Sequence, residues 1–133
     1  MSSIKTEVKD RIVYQNEQGK LHREDGPALI KFKHNIDENK PKEIVYEEWY
    51  KHGYKHREDG PAYVNHVNGI KIWYIDGNVW RLDGPAYVSP NEVRYYWDNK
   101  EMSKEEYEKK RDDYETIPIE ESKKRKSLRI IFN

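Results

Sequence analysis

Leu21–Ala28 reads LHREDGPA, Lys55–Ala62 reads KHREDGPA and Trp80–Ala86 reads WRLDGPA. One unit is therefore written three times, and internal repetition of this kind decides the architecture before any other signal. The motif aspartates Asp25, Asp59 and Asp83 are 34 and 24 residues apart. The basic period is the shorter one, and the extra ten residues fall in the polar, proline-containing stretch His34–Lys42, which reads as an enlarged loop on one unit. An aromatic strand and a turn precede each motif: Ile12–Tyr14 with Gln18-Gly19, Trp49-Tyr50 with His52-Gly53, and Trp73-Tyr74 with Asp76-Gly77. Tyr95-Tyr96-Trp97 and Asp98-Asn99 begin a fourth unit that lacks the motif.

Each unit reads as a pair of short strands. Asn68-Gly69 and Asp76-Gly77 lie between β-branched or aromatic runs and supply the positive backbone angles of tight hairpins. In Ile70–Ile75 strand alternation puts Ile70, Ile72 and Tyr74 on one face and Lys71, Trp73 and Ile75 on the other, so both faces are expected to be partly covered. Asp-Gly-Pro-Ala forms a second corner, where Asp bonds local amides, Pro fixes its own angle and Ala permits close approach. Ser103-Lys104-Glu105-Glu106 is a helix start with a capping box, predicting a helix from about Lys104 to Asp113 that closes the array with a polar outer face. The expected fold is mainly β: one domain over 1–133, with hairpin repeats at 11–33, 43–67 and 70–89, a partial one at 92–102, and a capping helix at 103–114. A tail follows at 115–133, in which Ser127–Phe132 has the composition of a short strand.

The composition fits a thin aromatic core. Leu, Ile, Val and Phe make up just under a fifth of the 133 residues, near the level where disorder sets in, but 11 Tyr and 4 Trp supply large rings. With no cysteine, disulfides, thiolate chemistry and sulfur-ligated zinc are excluded. Twenty-five basic against 25 acidic residues argue against a general duplex-DNA binder. No apolar run approaches the roughly 20 residues of a membrane span, and Met1–Asp10 lacks a secretory apolar stretch, so a cytoplasmic protein without a membrane partner is expected.

The order of aromatic pair, Gly turn and H-R-x-D-G-P-A resembles the variant MORN-type repeats of bacteriophage and large DNA virus proteins, over about Ile12–Asp113. The close in Trp97-Asp98-Asn99-Lys100 followed by Ser103–Tyr107 is similar to the end of such arrays. The resemblance implies a tandem β-hairpin, MORN-like sheet and a binding module, since ordinary MORN arrays are associated with protein contacts and sometimes lipid head groups. It implies no activity. Trp80, standing where the motif has histidine, and the His34–Lys42 loop depart from the pattern.

His22 and His56 beside Asp25 and Asp59 could be read as catalytic or metal groups. Recurrence at equivalent positions instead points to stacking, because Trp80 keeps the flat ring without the chemistry. Arg23, Arg57 and Arg81 recur in all three units and are expected to lie over a ring or fork onto the motif Asp, with an anion-binding ladder as the other reading. Lys31-Phe32-Lys33, Trp49-Tyr50-Lys51 and Arg94–Trp97 mix rings with cations as single-strand binders do, and so does any sheet with rings inward and lysines outward. Lys123–Lys126 follows Glu120-Glu121 and reads as a solvated tail. No phosphate loop, nucleophile elbow or His-Glu-x-x-His is present, and a proline after each motif glycine leaves a poor phosphate cradle.

The expectation is a non-enzymatic module without metal, cofactor or catalytic residues, engaging a host protein or a second copy of itself. Its candidate binding residues are Arg23, Arg57, Arg81, His56, Tyr50, Trp73 and Tyr74. A reader of nucleotides or single-stranded nucleic acid is the second expectation, and a hydrolase built from scattered carboxylates the third.

Overall fold

In the computed structural model, which describes residues 3–115, the hairpins are joined edge to edge into one antiparallel ribbon. The strands are β1 (Ile4–Val8), β2 (Arg11–Gln15), β3 (Leu29–Phe32), β4 (Ile44–Glu48), β5 (Tyr50–Lys51), β6 (Tyr54–Lys55), β7 (Tyr63–Asn65), β8 (Lys71–Ile72), β9 (Tyr74–Ile75), β10 (Asn78–Val79), β11 (Tyr87–Val88), β12 (Val93–Trp97) and β13 (Lys100–Met102), followed by α1 (Lys104–Glu115). Nine of them form the main sheet in the order β1-β2-β3-β4-β7-β8-β11-β12-β13. The remaining strands, β5 with β6 and β9 with β10, are hairpin tips that continue β4 and β8 past the sheet.

The chain repeats one path. A strand crosses the sheet, runs on into a tip, turns, and returns through the H-R-x-D-G-P-A corner to pair with itself as the next strand. The tips turn through His52-Gly53, Asp76-Gly77 and Asp98-Asn99, all with positive φ, which is the twist a two-residue hairpin needs. Each tip then hangs on the one before it. Gly53 N–H donates to Leu21 O at 2.8 Å, Gly77 N–H to Lys55 O at 2.8 Å, and Asn99 N–H to Val79 O at 2.9 Å.

Burial is sparse, as the composition requires. Among the described residues the buried apolar ones are Ala28, Ala62, Ala86, Ile75, Trp80 and Tyr107, and of the residues in β1–β13 only Glu48 and Ile75 are buried. The three motif alanines are fully inaccessible because they sit where each corner rejoins the sheet: Tyr14, Trp49 and Trp73 donate their N–H groups to the carbonyls of Ala28, Ala62 and Ala86 at 2.7–2.8 Å. A larger side chain there would push the corner off the strand.

Four features differ from expectation. Asn68-Gly69 is not a two-residue turn. Only Gly69 has positive φ, and the Asn65 side chain accepts the Val67 and Asn68 N–H groups, closing a four-residue loop from Asn65 to Ile70. The motif Asp does not bond local amides but accepts from the motif Arg. Finally, β1 extends the sheet upstream of the first unit, and α1 runs to Glu115. The helix begins as expected, with Ser103 Oγ accepting the Glu106 N–H. Among the described residues no helix is long and apolar enough to cross a membrane. Ser127–Phe132 and Lys123–Lys126 lie outside the described residues.

Candidate functional site

The arginines form three copies of one arrangement. Arg23 lies over the Tyr14 ring at 4.0 Å, and Arg57 and Arg81 lie over Trp49 and Trp73 at 3.9 Å. In each, Nε donates to the motif Asp, at 3.2, 2.9 and 2.8 Å, and Nη1 donates to the carbonyl of the motif Pro at 3.1 Å. The other side of the guanidinium is closed by the motif glycine: a Cβ on Gly26, Gly60 or Gly84 would stand 2.7, 3.0 or 3.2 Å from the arginine Cζ. Glycine is thus required because a flat cation is sandwiched between an aromatic ring and bare backbone. About a fifth of each side chain remains accessible.

The histidines join units rather than stand in a site. His22, fully buried, accepts the His52 N–H on Nδ1 at 2.9 Å, and His56 accepts the Asp76 N–H on Nδ1 at 3.0 Å. An accepting Nδ1 places the ring proton on Nε2. That atom of His22 faces Glu24 Oε1 at 3.1 Å, too far off line for a hydrogen bond. The motif Arg backbone adds a second tie, with Arg23 N–H donating to Tyr50 O and Arg57 N–H to Tyr74 O.

At the third unit Trp80 replaces the imidazole and packs edge-on against Trp97 at 5.3 Å and Tyr114 at 6.4 Å. Tyr107 of α1 is fully buried; its hydroxyl donates to Arg81 O and accepts the Gly84 N–H at 3.2 Å. Burial pushes the Tyr107 phenol up, which keeps this hydroxyl protonated. One helical tyrosine therefore ties the last corner to α1.

The two sheet faces are chemically unlike. Cross-strand partners share a face, so Val13, Leu29, Glu48, Tyr63, Ile72, Tyr87 and Arg94 form one row, flanked on the same face by Tyr46 and, along the chain, by Tyr50, Tyr74 and Tyr96. All six of these tyrosines are half-buried. Tyr46 stacks on Tyr63 at 6.1 Å, and Arg94 lies over Tyr87 at 4.9 Å. At the centre Glu48 is 9% exposed, accepts the Tyr50 hydroxyl at 3.2 Å, and has Lys55 Nζ 3.7 Å away. Lys55 also stands over Tyr63 and Tyr74, at 5.7 and 5.1 Å. Burial, with the Glu48 charge second, raises the Tyr50 phenol well above its ordinary value, so it stays a hydrogen-bond donor.

The seven candidate residues are thus divided. Arg23, Arg57, Arg81 and Trp73 build the sandwiches on one side of the ribbon, His56 lies between tips, and Tyr50 and Tyr74 belong to the tyrosine face. Arg57, Trp73, Trp80 and Arg81 also line a groove of about 450 Å³ between the second and third units, with Asp59 and Asp83 opposing their charge. Sequence reading missed Tyr46, Tyr63 and Tyr87, half of the six tyrosines on this face; the signal was the Tyr-Val that directly follows two of the motifs, after Ala62 and Ala86. The long loop folds around about 560 Å³ lined by Lys33, His34, Asp37 and Lys40, leaving Ile36 90% exposed. Among the described residues no three histidines or carboxylates converge as metal ligands would. No family model, curated protein or solved structure matches the chain.

Proposed function

We propose that the chain is a non-enzymatic binding module that engages a protein partner through its tyrosine face. The observation that carries this reading is one sheet face of half-buried tyrosines around a Glu48–Lys55 centre. Tyr supplies apolar area and a polar tip at small entropic cost, and it is enriched in the cores of protein interfaces. The acid and base residues nearest to hand are occupied: the motif arginines and aspartates hold one another, and the imidazoles hold backbone amides. The resemblance of H-R-x-D-G-P-A to variant MORN-type repeats supports the further reading of a phage or viral accessory protein that binds and inhibits a host protein in the cytoplasm.

The test places a photocrosslinking residue at Tyr63 or Tyr87, and in parallel at Lys71 or Val88 on the opposite face. A protein crosslinked reproducibly from the tyrosine positions and not from the others is the expected result. Crosslinks from the opposite face alone would refute it. Retention of single-stranded oligonucleotides with a steep salt dependence, lost in Tyr63→Ala, would replace it with nucleic-acid reading.

A further inference from the structure

The ribbon has two edges of different construction. β13 is three residues long and leads directly into α1, so little backbone is offered there. β1 is five residues long and exposed at every position, with Ile4 62% and Val8 49% accessible. Tyr14 donates its N–H toward β3, to Ala28 O, so the Lys5–Tyr14 pair, and by alternation Glu7–Ile12, is not hydrogen-bonded within the β1–β2 ladder. The N–H and C=O groups of Lys5 and Glu7 therefore point outward, and among the described residues no strand receives them. Such a row is a template for another strand.

We infer that this edge pairs with the same edge of a second copy, through an antiparallel two-fold ladder centred on Thr6. The sequence of β1, Ile-Lys-Thr-Glu-Val, is self-complementary in that register. Lys5 faces Glu7 of the second copy and Glu7 faces Lys5, while Ile4 faces Val8 in both halves and Thr6 faces Thr6. The same register brings the outward groups of Lys5 and Glu7 into two narrow pairs, giving four backbone hydrogen bonds with none left over. Moving the axis to Lys5 sets Lys5 against Lys5, and moving it to Glu7 sets Glu7 against Glu7, so the neighbouring registers are disfavoured by like charge. Lys5 and Glu7 already lie together, 2.8 Å apart, on the face opposite Ile4, Thr6 and Val8; pairing converts this couple into a four-charge cluster of alternating sign.

The contact is isologous, and its axis runs perpendicular to the sheet. Both tyrosine faces then look the same way, as one doubled surface on a continuous sheet. A five-residue edge is small for a permanent interface, so association depends on concentration.

Light scattering or sedimentation of the full chain tests this. The mass is expected to rise with concentration from 16.1 kDa toward about twice that value. Lys5→Glu alone and Glu7→Lys alone leave the protein a single chain at concentrations where the parent has doubled. An equimolar mixture of the two restores the doubled mass, because an all-acidic edge then meets an all-basic one, and restoration also shows that both variants are folded. The inference is overturned if the parent keeps the single-chain mass at every concentration, as it would were the chain's own 127–132 segment seated on β1. It is equally overturned if either charge variant self-associates like the parent, or if the mixture stays monomeric.

Discussion

Arg57→Met removes the guanidinium from the middle sandwich and keeps an apolar stem over Trp49. Three interactions are lost. The cation over the Trp49 ring at 3.9 Å, largely shielded from solvent, contributes about 1–2 kcal/mol. The charge-assisted bond to Pro61 O at 3.1 Å contributes about another 1–2 kcal/mol, since the carbonyl is left without that donor. The Asp59 ion pair adds little, because the Asp59 side chain is 77% exposed. The expected destabilisation is about 2–4 kcal/mol in urea unfolding followed by Trp fluorescence, with m unchanged. Arg94→Met is the control. Its guanidinium also lies over a ring, Tyr87 at 4.9 Å, but it is 42% exposed, has Glu92 as its surface partner and has no backbone beneath it, so it should cost about 1 kcal/mol or less.

The sandwich makes a sharper demand on Gly60. A methyl there would lie 3.0 Å from Arg57 Cζ on the side away from the ring and must press the guanidinium against Trp49 or push it sideways out of the sandwich, so Gly60→Ala should cost about 1–2 kcal/mol in the parent. In the Arg57→Met background the obstacle is gone, and the same change should be nearly neutral. The double-mutant cycle therefore closes with a coupling of about 1–2 kcal/mol. Additive costs, or an Arg57→Met protein within about 0.5 kcal/mol of the parent, would refute the account of why the motif contains both Arg and Gly.

Tyr107→Phe removes the hydroxyl that holds Arg81 O and Gly84 N–H. It should cost about 1–3 kcal/mol and speed hydrogen exchange of the Gly84 amide before that of the second unit. His22→Leu leaves the His52 N–H without its acceptor and should cost a similar amount, about 1–3 kcal/mol, whereas His22→Asn, which offers an acceptor oxygen, recovers part of the loss; exchange of the His52 amide reads this directly. Tyr50 and Tyr107 have their phenols raised above the ordinary value of 10.0 by burial, so the folded state favours the protonated forms. Their contribution is complete below about pH 10 and is lost as pH climbs through the raised values, so stability should fall in alkali, with a shallower fall in Tyr50→Phe.

What could be read from the sequence is what the repeat itself writes. Three copies of one corner, the Asp-Gly and Asp-Asn tips, and the Ser103 start of α1 are local patterns, and local patterns fix turns and caps. Stacking of the arginines was legible because Arg23, Arg57 and Arg81 recur in all three units. The closing role of the motif glycine was not legible, since the ring beneath Arg23 is Tyr14, outside the motif, and only the folded corner brings ring, cation and backbone together. β1 was missed for a different reason: its five exposed residues carry almost no burial signal, and its alternation becomes meaningful only once β2 is known to be a strand beside it.

The division of the candidate residues follows from the same logic. In a stacked array a motif survives at every unit if each copy satisfies its neighbours, so its polar groups end up bonded within the protein: Arg to Asp and Pro carbonyl, His to the next turn, Ala to the preceding strand. Groups so engaged are poorly placed to recognise anything else. In the proposed binding role, recognition falls to side chains outside the corner motif, which here are the tyrosines on the far face, the insertion carrying Ile36, and the unpaired edge at Lys5 and Glu7. The readings of the arginines as scaffold and of Tyr63 and Tyr87 as contact surface are therefore linked. Tyr63→Ala should abolish partner crosslinking from Tyr87 with a small change in stability, while Arg57→Met should lower stability and leave crosslinking intact wherever the protein remains folded. Were the two effects exchanged, the motif would be the binding site and the tyrosines its support.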